Sequence, residues 1–228
     1  MNKKLVVSVA FVVIVAVVII SFSTYYATLL ETQKLAQDRF ITSQQKTQQE
    51  FENGSPILGS ESAQITIIEF GDYQCEACHH WFHHTRDTLI DNYIETGKAK
   101  LIFVDLPFLG RDSPIAAQAS YCAEDQGQYW EYHTMLYTFQ DGHPDSGWAD
   151  RNRLNSFAFS LDMNIDEFNE CMDSSKYKKR VKANYDEAVK NNARSTPTFM
   201  IISQDGMTEK FSGSQPYSVF AASIESML

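Results

Sequence analysis

Cys75-Glu76-Ala77-Cys78 stands where a β-branched and aromatic run, QITIIEF at 64–70, passes through GDYQ into a segment of helical character ending near Tyr93. A cysteine at a strand-to-helix junction faces free backbone N–H groups and the positive end of the helix dipole, and both favour a thiolate. The second cysteine lies one helical turn on and can close a disulfide with the first. Such a pair does thiol–disulfide exchange: Cys75 takes part in the mixed disulfide and Cys78 resolves it. The same spacing also serves metals, and His79, His80, His83 and His84 follow at once. His79 with His83, or His80 with His84, could share a helix face with zinc. Against zinc, metal-binding pairs usually come as two separated halves, and adjacent histidines on one helix point in different directions. The histidines read as a solvated helix face beside the site.

Three further features favour redox chemistry. Glu69 lies six residues before Cys75 on the preceding strand and is expected to point inward. A buried carboxylate has a raised pKa and can take the proton from Cys78 during exchange. The competing reading is an acid at a strand end with a local hydrogen-bond partner. Thr196-Pro197-Thr198 precedes a strand, where proline is awkward unless it shapes a turn; the base rate of X-Pro bonds favours trans. Tyr73 and Trp81 flank the cysteines and offer apolar surface to an unfolded substrate, or else belong to the core.

The elements that must position these residues form a simple order. The strand at 64–70, the helical segment and a second strand, KLIFVDL at 100–106, make a βαβ unit whose strands should be parallel. Helical patterns follow at 116–123, 129–139, 151–161, 166–172 and 176–190. A third strand is read at Thr198–Ser203, a hairpin turn at Gln204-Asp205-Gly206, a short fourth strand at Glu209–Phe211, and a closing helix at Tyr217–Leu228. The fold class is therefore α/β: a thioredoxin-type β-α-β / β-β-α domain with an all-helical insertion at about 112–192.

Ahead of this domain, residues 1–4 carry Lys3 and Lys4, and residues 5–30 are uncharged and begin LVVSVAFVVIVAVVII. About 20 apolar residues cross a bilayer core, and Tyr25 and Tyr26 suit its interface. A cleaved signal peptide is the alternative, but its apolar region runs only about 7–15 residues before a small-x-small site. Ser21-Phe22-Ser23 is a poor version of such a site. On either reading the rest of the chain is exported, and with the lysines inside it lies on the extracytoplasmic face. Residues 31–55, rich in Gln, Thr and Glu, read as a polar stalk, partly helical, and the domain as 56–228. Leu35, Phe40 and Ile41 do not make a coiled-coil seam.

The formal net charge of −10 argues against nucleic acid and against a polybasic grip on anionic lipid. Four cysteines in an exported chain permit a catalytic pair and a structural pair. Cys122 and Cys171, both in the helical block, are the candidates for the structural bridge; otherwise they are two separate small hydrophobes.

Taken together, IIEFGDYQCEAC, ASYCAEDQGQYWEYHTMLY and STPTFMI resemble the DsbA-like oxidoreductases, in their membrane-anchored BdbD-type branch, over about residues 56–228. The resemblance implies Cys75 as the attacking and Cys78 as the resolving cysteine, Glu69 as the buried acid, and Thr196-Pro197 as a cis-proline loop. It also implies disulfide formation in exported proteins, with reoxidation by a quinone-linked membrane partner of the DsbB or vitamin K epoxide reductase kind. No organic cofactor and no metal are called for. One departure matters: strongly oxidising members carry Pro-His between the cysteines, and Glu76-Ala77 stands here. A carboxylate beside the sulfur and the loss of a histidine donor should disfavour the thiolate and weaken the oxidant. Reductase or isomerase activity is thus the alternative, and a non-catalytic metal-holding or interaction module the third reading. With no segment patterned for dimerisation, the chain is expected to be a monomer.

Overall fold

The computed structural model describes residues 3–141 and 143–228, with side chains described at 15–39, 41–42, 51–141 and 143–228. The chain divides into two units, 1–46 and 47–228. The first consists of most of helix α1 (Lys3–Glu50), whose stretch Val15–Arg39 is long and apolar enough to cross a membrane. Apolar and polar parts form one continuous helix, so the stretch read as a partly helical stalk is helical up to Glu50.

The second unit begins earlier than the expected boundary at 56. Phe51 is buried against Phe70, with ring centroids 6.0 Å apart. Ser55 donates its N–H to the Phe103 carbonyl (2.8 Å), and its hydroxyl accepts from the Phe103 N–H (2.9 Å). A short strand β1 (Leu58–Gly59) then pairs antiparallel with β3 (Ala99–Asp105). These polar residues carry no strand-like pattern; they are recruited because the outer edge of β3 would otherwise leave its N–H and C=O groups unpaired.

The sheet order is β1-β3-β2-β4-β5, with β2 (Ile65–Gly71), β4 (Thr198–Ser203) and β5 (Thr208–Ser212) completing five strands. β2 is central, parallel to β3 and antiparallel to β4, and all seven of its residues are buried. Burial on both faces explains its unbroken β-branched run. Ile65 and Ile67 join one core with Phe199, Ile201 and Phe220; Ile68 and Phe70 join another with Val104, Ala188 and Met200. The β4–β5 turn passes through Gly206 at φ +90°, a left-handed conformation that favours glycine.

The crossover from β2 to β3 is helical from Glu76 to Ile94, but not as the single helix expected. Two α segments, α2 (Glu76–Trp81) and α3 (Asp87–Leu89), alternate with π-helical turns at Phe82–Arg86 and Ile90–Ile94. This crossover carries two buried stripes. Trp81, Leu89, Tyr93 and Ile94 face the sheet core, while Cys78 and Phe82 face the helical insertion. Tyr73 and Trp81, read as a possible docking surface, are each 1 % exposed and belong to the core.

The insertion comprises α4 (Asp112–Glu124), α5 (Tyr129–Thr138), α6 (Arg151–Ser160), α7 (Ile165–Asp173) and α8 (Lys178–Lys190). Side-chain oxygens of Asp150 and Asn164 cap α6 and α7 by accepting from first-turn N–H groups. α9 (Tyr217–Met227) closes the domain over the sheet through Phe220 and Ile224. A disulfide joins Cys122 of α4 to Cys171 of α7, 49 residues apart in sequence. By the chain-entropy model such a loop contributes up to about 4 kcal/mol. Replacing both cysteines by alanine should lower the denaturant midpoint by a corresponding amount and leave exchange at Cys75 intact. Urea unfolding and an insulin-reduction assay on the same variant check both halves.

Candidate active site

β2 ends at Gly71, and a side chain there would meet the Phe103 ring at 2.3 Å and the Tyr137 hydroxyl at 3.1 Å. This close approach lets the following loop, Asp72–Cys75, pass between sheet and insertion. Asp72 organises the loop. Its carboxylate accepts from the N–H groups of Gln74 (2.9 Å), Phe108 (2.9 Å) and Leu109 (3.0 Å), while its carbonyl accepts from Cys75 N–H (2.9 Å). The insertion grips the same loop from the other side. Gln74 donates to Ser113 Oγ (2.8 Å) and accepts from Asp145 N–H (2.6 Å). Gln140 donates to the Tyr73 carbonyl (2.7 Å), and Tyr73 Oη meets His133 Nδ1 at 2.8 Å. None of these residues was singled out in the sequence apart from Tyr73. Only Asp72, a capping type two residues before Gln74, carried a local signal.

Cys75 occupies the N-cap position of α2 with an extended backbone (φ −83°, ψ 117°). Its sulfur accepts from Cys78 N–H at 3.3 Å and lies 3.2 Å from the Thr196 carbonyl, to which the thiol donates. Hydrogen bonding from the Cys78 side chain is the largest influence on it. With the Thr196 side chain and the Cys78 and Ala77 backbone it outweighs burial and brings the Cys75 pKa down to about 6. Cys78 is fully buried, and that burial pushes its thiol well above the ordinary range. The two thiols thus differ in kind: one holds a charge at neutral pH and the other holds a proton.

Glu69 is 1 % exposed, and alternation along β2 sets it on the face of Ile65 and Ile67, towards the crossover helix. Its register neighbours are Phe103 on β3 and Phe199 on β4, and its Oε1 has no hydrogen-bond partner among the described residues. Burial raises its pKa to about 8, opposed by the charge of Arg86 and aided by that of Cys75.

Thr196-Pro197 is cis, and Thr198 begins β4. Glu76, between the cysteines, is exposed, where solvent screens its charge; Ala77 is partly buried and acts on Cys75 through its backbone. The expected weakening of the thiolate by Glu76 is absent from the leading influences on Cys75, because hydrogen bonds act at shorter range than a screened carboxylate. The histidines pair along the helix, the His79 and His83 rings tilted with centroids 4.3 Å apart and the His80 and His84 rings stacked at 4.2 Å. His80 Nδ1 contacts Ser214 Oγ at 2.8 Å. Among the described residues no group of three or more His, Cys, Asp or Glu side chains is placed to hold a metal.

A family model described as thioredoxin matches residues 52–225. The chain belongs to the thioredoxin family. Within it, this chain is a DsbA-like thiol–disulfide oxidoreductase. It is 30% identical over 153 residues to the disulfide bond formation protein D of Bacillus subtilis (strain 168), covering 65% of this chain and 68% of that one. It is 25% identical over 203 residues to the probable disulfide bond formation protein D of Bacillus anthracis, covering 88% of each. The crystal structure of oxidised BdbD from Bacillus subtilis superposes with a TM-score of 0.70 at 26% identity, over 78% of this chain and 94% of that one.

Two measurements follow from the electrostatics. Thiolate absorbance at 240 nm in the reduced protein should titrate with a midpoint near pH 6 and vanish in Cys75→Ser. A midpoint above pH 8 would contradict the hydrogen-bonding account. Glu69, with a folded pKa of about 8 against an ordinary 4.5, keeps more protons folded than unfolded between those values. Stability attributable to it is therefore lost as pH rises through that window. In the oxidised protein, where neither Cys75 nor Cys78 titrates, Glu69→Gln should unfold at the wild-type midpoint or below it near pH 4.5 and above it at pH 8.5. Equal pH slopes for the two proteins in urea would refute this.

Proposed function

We propose that the oxidised Cys75–Cys78 pair donates its disulfide to exported proteins on the extracytoplasmic side of a membrane. The observation that carries this reading is the asymmetry of the pair, with Cys75 held ionised near neutral pH and Cys78 held protonated. A substrate thiolate attacks Cys75 Sγ, the Cys75–Cys78 bond breaks, and the electron pair leaves on Cys78. Glu69, protonated near neutral pH, is read as the group that protonates Cys78 as it leaves and takes the proton back in the reverse step. A second substrate thiolate then attacks the substrate sulfur of the mixed disulfide and releases Cys75 as a thiolate. Substrate has lost two electrons and the enzyme is left reduced. The Thr196 carbonyl, beside the Cys75 sulfur, is read as part of the wall against which the substrate backbone aligns.

Stabilising the released thiolate makes the disulfide more oxidising. At pH 7 a shift from 9 to about 6 favours the reduced form by about 1.4 kcal/mol, or about 30 mV for two electrons. That lifts the couple above one with an unperturbed thiol without by itself reaching the strongest oxidants. The relatives' description as disulfide bond formation proteins supports the same direction of flow. So does the Cys122–Cys171 bridge, of a kind that persists in oxidising compartments.

The apolar helix preceded by Lys3 and Lys4 is read as a single-pass anchor with its N-terminus inside. The electrons are then passed to a quinone-linked membrane partner of the DsbB or vitamin K epoxide reductase kind. Equilibration of full-length protein with glutathione buffers should give a potential well above the about −270 mV of thioredoxin. A value at or below that would overturn disulfide donation and leave reduction of exported proteins in its place. Loss of all exchange in Cys75→Ser separates either enzyme from a non-catalytic module.

A further inference from the structure

Glu69 is flanked on the sheet by apolar rings. The residues in register with it on both flanking strands, Phe103 and Phe199, are aromatic. A carboxylate between two phenyl rings is strongly disfavoured in its charged form unless a cation reaches it from another direction. The cation that acts on it is Arg86, whose charge is the main influence opposing burial.

Arg86 is 7 % exposed, and its Nε has no hydrogen-bond partner among the described residues. It lies eight positions after Cys78 on the crossover helix, on the row Cys78–Phe82–Arg86, with its guanidinium 4.9 Å from the centre of the Phe82 ring. Phe82 in turn stacks on Tyr137 of the insertion, centroids 5.2 Å apart. Its ion-pair partner, Asp87, has a side chain 82 % exposed and is held by one contact of 3.2 Å, a weak claim on the charge. The π-helical turn Phe82–Arg86 carries the row inward at this point. Buried in this way, away from a strong partner, an arginine is costly for packing alone.

We infer that Arg86 is a positioning residue for the proton shuttle: its guanidinium supplies the field that lets Glu69 carry a negative charge when Cys78 gives up its proton. The inference rests on the reading of Glu69 as the shuttle. The charge of Glu69 is coupled to Cys75 and Cys78 of the helix and to Tyr137 of α5, and that of Arg86 to His133 of α5. These groups are neutral or negative near pH 7, with burial holding His133 unprotonated, so Arg86 stands as the positive member of the cluster.

The test is single-turnover release of a fluorescent peptide held on Cys75 as a mixed disulfide, followed from pH 5.5 to 10 in full-length protein in detergent. Release requires Cys78 to lose its proton to Glu69, so the rate should rise along a limb set by Glu69 ionisation and that limb should vanish in Glu69→Gln. Arg86→Met should move the limb up by about one pH unit, slowing release about tenfold at pH 7. Arg86→Lys, which keeps the charge, should return it towards wild type. Arg86→Met added to Glu69→Gln should change nothing further. Should Arg86→Met fail to fold by circular dichroism, Arg86→Gln makes the same comparison. An unmoved limb in the Arg86 variants, with the limb lost in Glu69→Gln, overturns the role of Arg86 and leaves the shuttle standing. An unmoved limb in Glu69→Gln overturns both.

Discussion

Negative charge has to move between two sulfur atoms only one helical turn apart, and the protein makes their surroundings unequal. Cys75 sits at the head of a helix, where N–H groups and the Cys78 side chain support a thiolate. Cys78 sits one turn deeper, where burial supports the thiol. Everything around the pair serves to maintain that gradient. The central strand contributes a buried carboxylate, one oxygen of which has no hydrogen-bond partner among the described residues, whose charge acts on Cys78, and its register neighbours are aromatic. A water-filled gap there would level the two thiols and remove the reason for the exchange to run in order.

The insertion is more than a lid. Ser113, Gln140, Asp145 and His133 all hydrogen-bond the loop Asp72–Cys75 from the insertion side. Those contacts hold the Tyr73 and Gln74 side chains and the Tyr73 carbonyl immediately before Cys75. A disulfide between α4 and α7 ties the block that supplies them. The site is in this sense shared by two cores, one under the sheet and one inside the insertion, with the crossover helix wedged between them. Its alternating α and π turns accommodate two buried stripes on one helix, which a regular 3.6-residue repeat would not align with both neighbours.

The segment after α1 shows a different economy. Phe51 and Ser55 close the side of the sheet where β3 would present a bare edge, and Arg180 reaches across to the Asn53 and Gly54 carbonyls at 3.0 and 2.5 Å. A stretch of polar composition becomes part of the folded unit through its backbone, the Ser55 hydroxyl and the one buried ring of Phe51.

That contrast separates what the chain's residues declare from what only their meeting decides. The strand runs, the Gly206 turn, the helical block and the cysteine spacing are local: each follows from a few neighbouring residues and a backbone preference, so each was legible in order along the sequence. Cys75 and Cys78 were legible for the same reason, since the strand-to-helix junction that activates them is a local feature. The pairing of β1 with β3, the burial of Tyr73 and Trp81, and the grip of the insertion on the active-site loop were not. Each depends on residues tens of positions apart whose types are unremarkable alone. Arg86 is the clearest case. In sequence it is one charge beside Asp87 on a helix full of histidines, and its environment exists only once the helix lies between an aromatic sheet face and α5. Sequence determined which atoms could exchange electrons; tertiary structure decided their charges, because a pKa is set by burial and by neighbours that local spacing does not choose.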